Sequence, residues 1–253
     1  MALLLPWLLS AAGCSARRAP ETQRSAGDLI LLGRENMKER NYERAREAFN
    51  RILREYPESN LRSEALISLA DSFYASKDFQ EAKFQYEKFI QLYPVNPQTP
   101  RALLHLAMSD YRRLNTMDRD QALTQEALKN FRRLLQQFPR DPQVPEATPK
   151  IRELEARLAE KELYIGRFHY ASGNYQSAIP RFLGLLKEFP KTPSADDALY
   201  YLADSYTREE DYSQAGKALE RLIRDYPDSG YRKRAERLLS RLPKTASPGP
   251  GQR

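Results

Sequence analysis

The chain has 253 residues, of which 41% are apolar and 30% charged, with a net charge of +7. Its arginines and lysines alternate with acids along most segments instead of gathering on one face or tail, which argues against nucleic-acid binding and leaves an acidic partner or anionic head groups as the match for the excess. The only cysteine is Cys14, so no intrachain disulfide is possible.

Residues 1–13 read MALLLPWLLSAAG, an apolar run ending in small residues. A bilayer-spanning helix needs about 20 apolar residues, so this reads as a signal peptide. Ala11, Ala12 and Gly13 fit the narrow subsites of a peptidase, and Cys14 follows directly. The junction resembles the lipobox of bacterial lipoproteins, with Ala11 where leucine is usual. That resemblance implies cleavage before Cys14, with diacylglycerol and an N-acyl chain on it as the membrane anchor. No other cofactor is expected. Ser15, in place of an inner-membrane Asp, points to the outer membrane. The alternative is an ordinary signal peptide with an incidental cysteine. Residues 14–27 are polar and without period, and read as a lipidated flexible tether.

From residue 28 the chain is governed by five aromatic–proline pairs: Tyr56-Pro57, Tyr93-Pro94, Phe138-Pro139, Phe189-Pro190 and Tyr226-Pro227. The prolines are 37, 45, 51 and 37 residues apart. Twelve residues before each proline is an alanine (Ala45, Ala82, Ala127, Ala178, Ala215). Eight before it is a large apolar residue (Phe49, Tyr86, Phe131, Phe182, Leu219), and eight after it again an alanine (Ala65, Ala102, Ala147, Ala198, Ala235). This is an internal repeat.

In the first repeat Asp28 is a candidate helix cap, and Asn41 supports a tight turn. Tyr42, Ala45, Phe49 and Ile52 then share one helix face. Tyr56-Pro57 ends that helix, because a residue before proline is pushed out of the α region. The pattern resembles the tetratricopeptide repeat: small residues let two antiparallel helices approach, and aromatics fill the space between pairs. The second, fourth and fifth repeats carry the same marks. The third has a longer turn, about Asn115 to Gln125, which is either a binding insertion or a tolerated extension. Fourteen additional residues before the fourth repeat predict one long helix across the junction. Residues 230–242 predict a basic capping helix. The expected fold is all-α: an α-solenoid of five tetratricopeptide-like helix pairs with a C-terminal capping helix. Repeats one to three occupy 28–144. The long helix, repeats four and five and the cap occupy 145–242. Residues 243–253, rich in Pro, Gly and Ser, read as a disordered tail.

His105 and His169 lie on separate predicted helices without metal-ligand spacing and read as structural. No phosphate loop, nucleophile elbow or CxxC is present. The expectation is therefore a protein with no catalytic residues, no metal and no enzymatic activity. What remains is surface. In such a solenoid the first helix of each pair lines the concave face. Repeat spacing puts Ile30, Arg34 and Met37 there, then Ile67, Asp71 and Tyr74, then Leu104, Met108 and Tyr111. This mixture suits an extended peptide with aromatic side chains. It equally suits packing between neighbouring helices.

The combination of lipobox, five repeats and a long third-to-fourth connection is similar to the BamD family of outer-membrane β-barrel assembly lipoproteins. The likeness is carried by Asp118-Arg119-Asp120, by Ile151 to Glu162, and by Gly173-Asn174-Tyr175 through Ala178, Arg181, Phe189 and Pro190. It implies a lipid-anchored protein at the periplasmic face of the outer membrane. Its N-terminal repeats would take targeting peptides of unfolded outer-membrane proteins, and its C-terminal repeats would dock on a BamA (Omp85-type) barrel insertase. Other assembly lipoproteins would be further partners. Arg181 falls where that family pairs an arginine with an acid of the insertase; otherwise it is an ordinary solvated arginine. The alternatives are a periplasmic repeat scaffold of the Tol–Pal and peptidoglycan system, and a lipoprotein of polysaccharide export.

Overall fold

A computed structural model describes residues 24–114 and 121–243. Cys14, the signal segment, most of the tether, residues 115–120 of the third turn and the tail from 244 lie outside the described residues. Within them are eleven helices and no strand. The chain divides into two compact units. The first, residues 1–76, holds α1 (Ala26–Lys38), α2 (Tyr42–Glu55) and α3 (Arg62–Ala75). The second, residues 77–253, holds α4 (Phe79–Leu92), α5 (Thr99–Tyr111), α6 (Ala122–Gln137), α7 (Val144–Ala171), α8 (Tyr175–Glu188), α9 (Ala195–Arg208), α10 (Tyr212–Asp225) and α11 (Arg232–Arg241). Inside each unit every helix packs on the one before it, and α7 also touches α9.

The register read from the prolines is the register of the core. All fifteen alanine and large apolar positions named above are 0% exposed. Burying one such aromatic contributes about 1.5–3 kcal/mol, and the alanines let the backbones come close enough for it. The tightest approaches are made by glycine. A Cβ on Gly33 of α1 would run into the ring of Phe49 on α2. The same relation holds between Gly166 of α7 and Phe182 of α8.

The turns follow from local chemistry. Tyr56, Tyr93, Phe138, Phe189 and Tyr226 each leave the helix at φ near −130° and ψ between 49° and 64°, as the following proline requires. Two residues after the proline, Ser59, Asn96, Asp141 and Ser229 each accept a backbone N–H two positions on, at 2.9–3.2 Å. Thr192 instead donates to the Phe189 carbonyl at 2.8 Å. Between the two helices of a pair one residue turns left-handed: Arg40, Lys77, Gly173 and Glu210 have φ of 59–73°. The next residue is the N-cap of the second helix, and Asp78, Asn174 and Asp211 cap it through their side chains.

Two expectations change. Ser25, not Asp28, is the N-cap of α1, and α1 starts at Ala26 inside the stretch read as tether. Asp28 is the third residue of the helix and completes a capping box, accepting from the Ser25 backbone while the Ser25 hydroxyl accepts from the Asp28 N–H. The long helix at the junction is present as α7, with 28 residues. Its first half is tied down by side chains: Arg132 of α6 reaches Glu155 at 2.7 Å, and Tyr111 of α5 donates to Glu153.

Candidate protein interaction surfaces

Among the described residues no cluster of His, Cys, Asp and Glu could hold a metal ion, and no helix is long and apolar enough to cross a membrane. His105 stacks on Tyr86 with ring centroids 5.6 Å apart, and His169 meets the Phe168 ring edge-on. The candidate sites are therefore surfaces.

The groove expected on the first helices is corrected by burial. In the first unit Ile30 and Ile67 lie inside, and Ile30 belongs to the core formed by α1, α2 and α3. In the second unit Leu104 and Met108 are buried as well. These four side chains are packing residues and offer nothing to a ligand. The reason is visible on α3 and α5, where Leu66, Ile67 and Leu69, and Leu103, Leu104 and Leu106, are buried on consecutive helix faces. Arg34 remains exposed and pairs with Glu64 of α3. Met37, Asp71 and Tyr74 are half-buried. Tyr111 is half-buried too, with Lys150 donating to its hydroxyl at 2.9 Å and lying 4.4 Å from the ring centroid. The hydrogen bond to Tyr111 holds the Lys150 ammonium above its usual range. Tyr111 thus fastens α7 to α5.

Arg181 projects from α8 with 48% of its side chain exposed, 3.5 Å from Glu162 of α7. Beside this pair runs an open groove of about 370 Å³. Leu128, Leu158 and Phe189 give it an apolar lining, Lys129 and Arg132 supply cations from α6, and Glu162 and Glu188 supply carboxylates. Gly184 lines it too, with open space where a Cβ would stand.

A second cavity, of about 610 Å³, lies along the C-terminal half of α7 against α9. It was not foreseen. Leu163, Tyr164, Phe168, Tyr170 and Tyr201 line it, with Glu160 and Arg167 among its polar groups. Tyr164 and Phe168 are 70% and 62% exposed, although both are large and apolar. The other aromatics are fixed. Tyr170 donates to Asp204, and its ring meets Tyr201 edge-on with centroids 5.0 Å apart. Burial first, and then the Asp204 hydrogen bond, push the Tyr170 hydroxyl well above the ordinary tyrosine range. Tyr201 also meets Tyr231, whose hydroxyl donates to Asp197 at 2.8 Å.

The family model of the YfiO outer membrane lipoproteins matches residues 23–211, and a tetratricopeptide repeat model matches residues 197–229. The outer membrane protein assembly factor BamD of Caulobacter vibrioides is 33% identical over 90 residues, covering 36% of this chain and 30% of that protein. BamD of Rickettsia prowazekii is 30% identical over 132 residues, covering 52% of this chain and 53% of that protein. The chain therefore matches about half or less of the length of these relatives. A tetratricopeptide protein of known structure from Bacteroides fragilis aligns over 86% of this chain and 99% of its own at 15% identity, with a TM-score of 0.48.

Proposed function

The chain belongs to the YfiO family of outer membrane lipoproteins, and from that membership we propose that it is an assembly factor for outer-membrane β-barrel proteins. The observation that carries the reading is the family match over residues 23–211, which takes in both units and four of the five repeats. In this reading Cys14 carries the acyl chains, and each buried methylene adds about 0.8 kcal/mol of membrane affinity. The protein works at the periplasmic face, docked on a BamA-type barrel insertase.

Arg181 is the proposed docking residue. Its present partner Glu162 is itself partly exposed, and pairs of this kind contribute about 0–1 kcal/mol. A carboxylate on the insertase, meeting the guanidinium in two parallel hydrogen bonds, would displace Glu162 at little cost. The adjoining apolar groove over Leu128, Leu158 and Phe189 extends the surface. Segments of unfolded outer-membrane proteins are the proposed cargo, taken in the first unit at the accessible Arg34 and the half-buried Met37, Asp71 and Tyr74.

The test is affinity purification from detergent-solubilised membranes. The intact protein should bring down a barrel insertase, and Arg181→Glu should lower that recovery several-fold. Recovery of peptidoglycan-associated or polysaccharide-export proteins without an insertase would overturn the reading. Cys14→Ser should abolish labelling by palmitate; retained labelling would remove the anchor from the proposal.

A further inference from the structure

The cavity between α7 and α9 has neither Arg181 nor any residue of the first unit in its lining, and it has the chemistry of a peptide-binding cleft. Its volume of about 610 Å³ falls within the range of sites that enclose a side chain or small ligand. Tyr164 and Phe168 stand one turn apart on α7, so both rings project from one face. Leaving two large aromatics in water is unfavourable by the transfer energy of their apolar surface, and the fold gives them no cover. In the same lining Tyr170 is locked by its hydrogen bond to Asp204, and the Tyr201 ring by edge-on contacts with Tyr170 and Tyr231. A ligand ring would therefore meet a preformed aromatic floor and lose little entropy in binding.

The polar groups of the cleft specify the ligand further. Arg167 lies 5.2 Å from the centroid of the Tyr201 ring and makes no ion pair among the described residues. Glu160, seven residues earlier, makes none either. On a helix that separation is about 10 Å along the axis. The cleft thus presents a cation and an anion, each without an ion-pair partner among the described residues, about 10 Å apart along α7, with Tyr164 between them and Phe168 beside Arg167. Three residues of extended chain span the same distance. A terminal carboxylate is usually captured by free backbone N–H groups. Here every lining residue sits inside α7 or α9, where the backbone N–H groups are engaged in the helix. The acid that Arg167 selects is therefore a side chain.

We propose that the cleft formed by Tyr164, Phe168, Tyr170 and Tyr201 binds an unstructured internal segment of a partner protein, which inserts an aromatic side chain, sets an Asp or Glu against Arg167 and sets a Lys or Arg near Glu160. The segment lies along α7 as a polyproline II stretch, whose three residues per turn put the acid and the base on one side about 9 Å apart. Charge complementarity fixes its direction, and the ring supplies most of the affinity. This site is additional to the docking and cargo surfaces above and does not depend on either.

The experiment uses the full chain in detergent and a fluorescein-labelled peptide, Ser-Lys-Gly-Phe-Asp-Gly-Ser amide, read by fluorescence anisotropy. Replacing Phe by Ala in the peptide should weaken binding at least tenfold, and replacing Asp by Asn at least threefold. In the protein, Tyr164→Ser with Phe168→Ser should abolish binding; both side chains are exposed, so the fold should survive, as circular dichroism would check. Arg167→Glu should weaken the probe and bind better a peptide with Lys in place of Asp. That exchange of preference cannot come from loss of structure. Equal binding of the Phe and Ala peptides, or no effect of Arg167→Glu, would overturn the proposal. So would tighter probe binding after removal of residues 244–253, which would identify the chain's own tail as the occupant. Loss of probe binding on concentration-dependent self-association would instead assign the cleft to a second copy, and equally sink it.

Discussion

The ring of Phe182 fills the space in which Gly166 would carry a Cβ. Gly166 lies inside α7, within two turns of its C-terminal end, where glycine is still a poor helix former, so the position is held by packing and not by propensity. Gly166→Ala should gain up to about 1 kcal/mol of helix propensity and lose more to overpacking, typically 1–3 kcal/mol. The neighbour is a fully buried ring with no free space to yield. A net fall in stability by about 1–2 kcal/mol is expected, measured by urea unfolding. Gly184→Ala on α8, where a Cβ meets nothing within 4 Å, should be neutral or stabilising and serves as the control.

A second prediction concerns the turn between α9 and α10. Glu210 adopts φ 61°, which costs an L-residue roughly 1–2 kcal/mol. The equivalent turn before α8 uses Gly173, at φ 73°. Glu210→Gly should therefore raise the melting temperature, because relief of the left-handed strain exceeds the added flexibility of the unfolded chain. Gly173→Ala should lower it. A lower melting temperature for Glu210→Gly would show that the Glu210 side chain contributes more than its backbone strain costs.

Much of this architecture could be read from spacing alone. The aromatic–proline pairs, the alanines at fixed offsets and the turn residues after each proline are local signals, and each reports a backbone or packing constraint that the structure shows. The long α7 was legible for the same reason. The interaction surfaces were less so. Placing Ile67 and Leu104 in a groove assumed that the first helix of a repeat has one covered face, whereas α3 and α5 are covered on consecutive faces. Burial of that kind depends on neighbours that a periodicity does not count. The cap of α1 is Ser25 and not the expected Asp28, because both are good caps three residues apart and only the backbone geometry separates cap from third residue. The cleft of Tyr164 and Phe168 had a signal, two aromatics four apart beside Arg167, but the segment was read only for its leucines and ion pairs.

Alkaline pH should loosen the C-terminal repeats. The hydroxyls of Tyr170 and Tyr231 are both pushed above the ordinary value of 10, by burial first and then by donation to Asp204 and Asp197. The folded state thus keeps these protons when the unfolded chain begins to release them. The corresponding stability is fully present below pH 10 and is lost progressively as the pH rises above it toward the folded-state values. Unfolding midpoints followed by circular dichroism from pH 8 to pH 11 should fall beyond pH 10. In the Tyr170→Phe, Tyr231→Phe double variant the midpoint should be lower at pH 8 and should fall less steeply above pH 10. Equal slopes in the two proteins would remove these tyrosines from the account.

The last prediction rests on a charge in the core of the second unit. Asp110, at the end of α5, is 0% exposed. Lys83 of α4 donates to its Oδ1 at 3.1 Å and lies 2.9 Å from Oδ2, off the hydrogen-bond line, while Arg113 stands 3.5 Å from Oδ1. Lys83→Met removes the nearer cation and leaves a buried carboxylate facing one half-exposed guanidinium. Breaking a buried pair from one side costs about 3–5 kcal/mol. Arg113 keeps the loss near the low end of that range. Removing both charges is a different change: Lys83→Met with Asp110→Leu leaves no uncompensated group and should recover most of the stability, since buried pairs are often no better than apolar residues of similar size. The two variants and Asp110→Leu alone form a double-mutant cycle. A cycle in which the single losses simply add would mean that Lys83 and Asp110 act independently, and that α4 and α5 are held by their apolar faces alone.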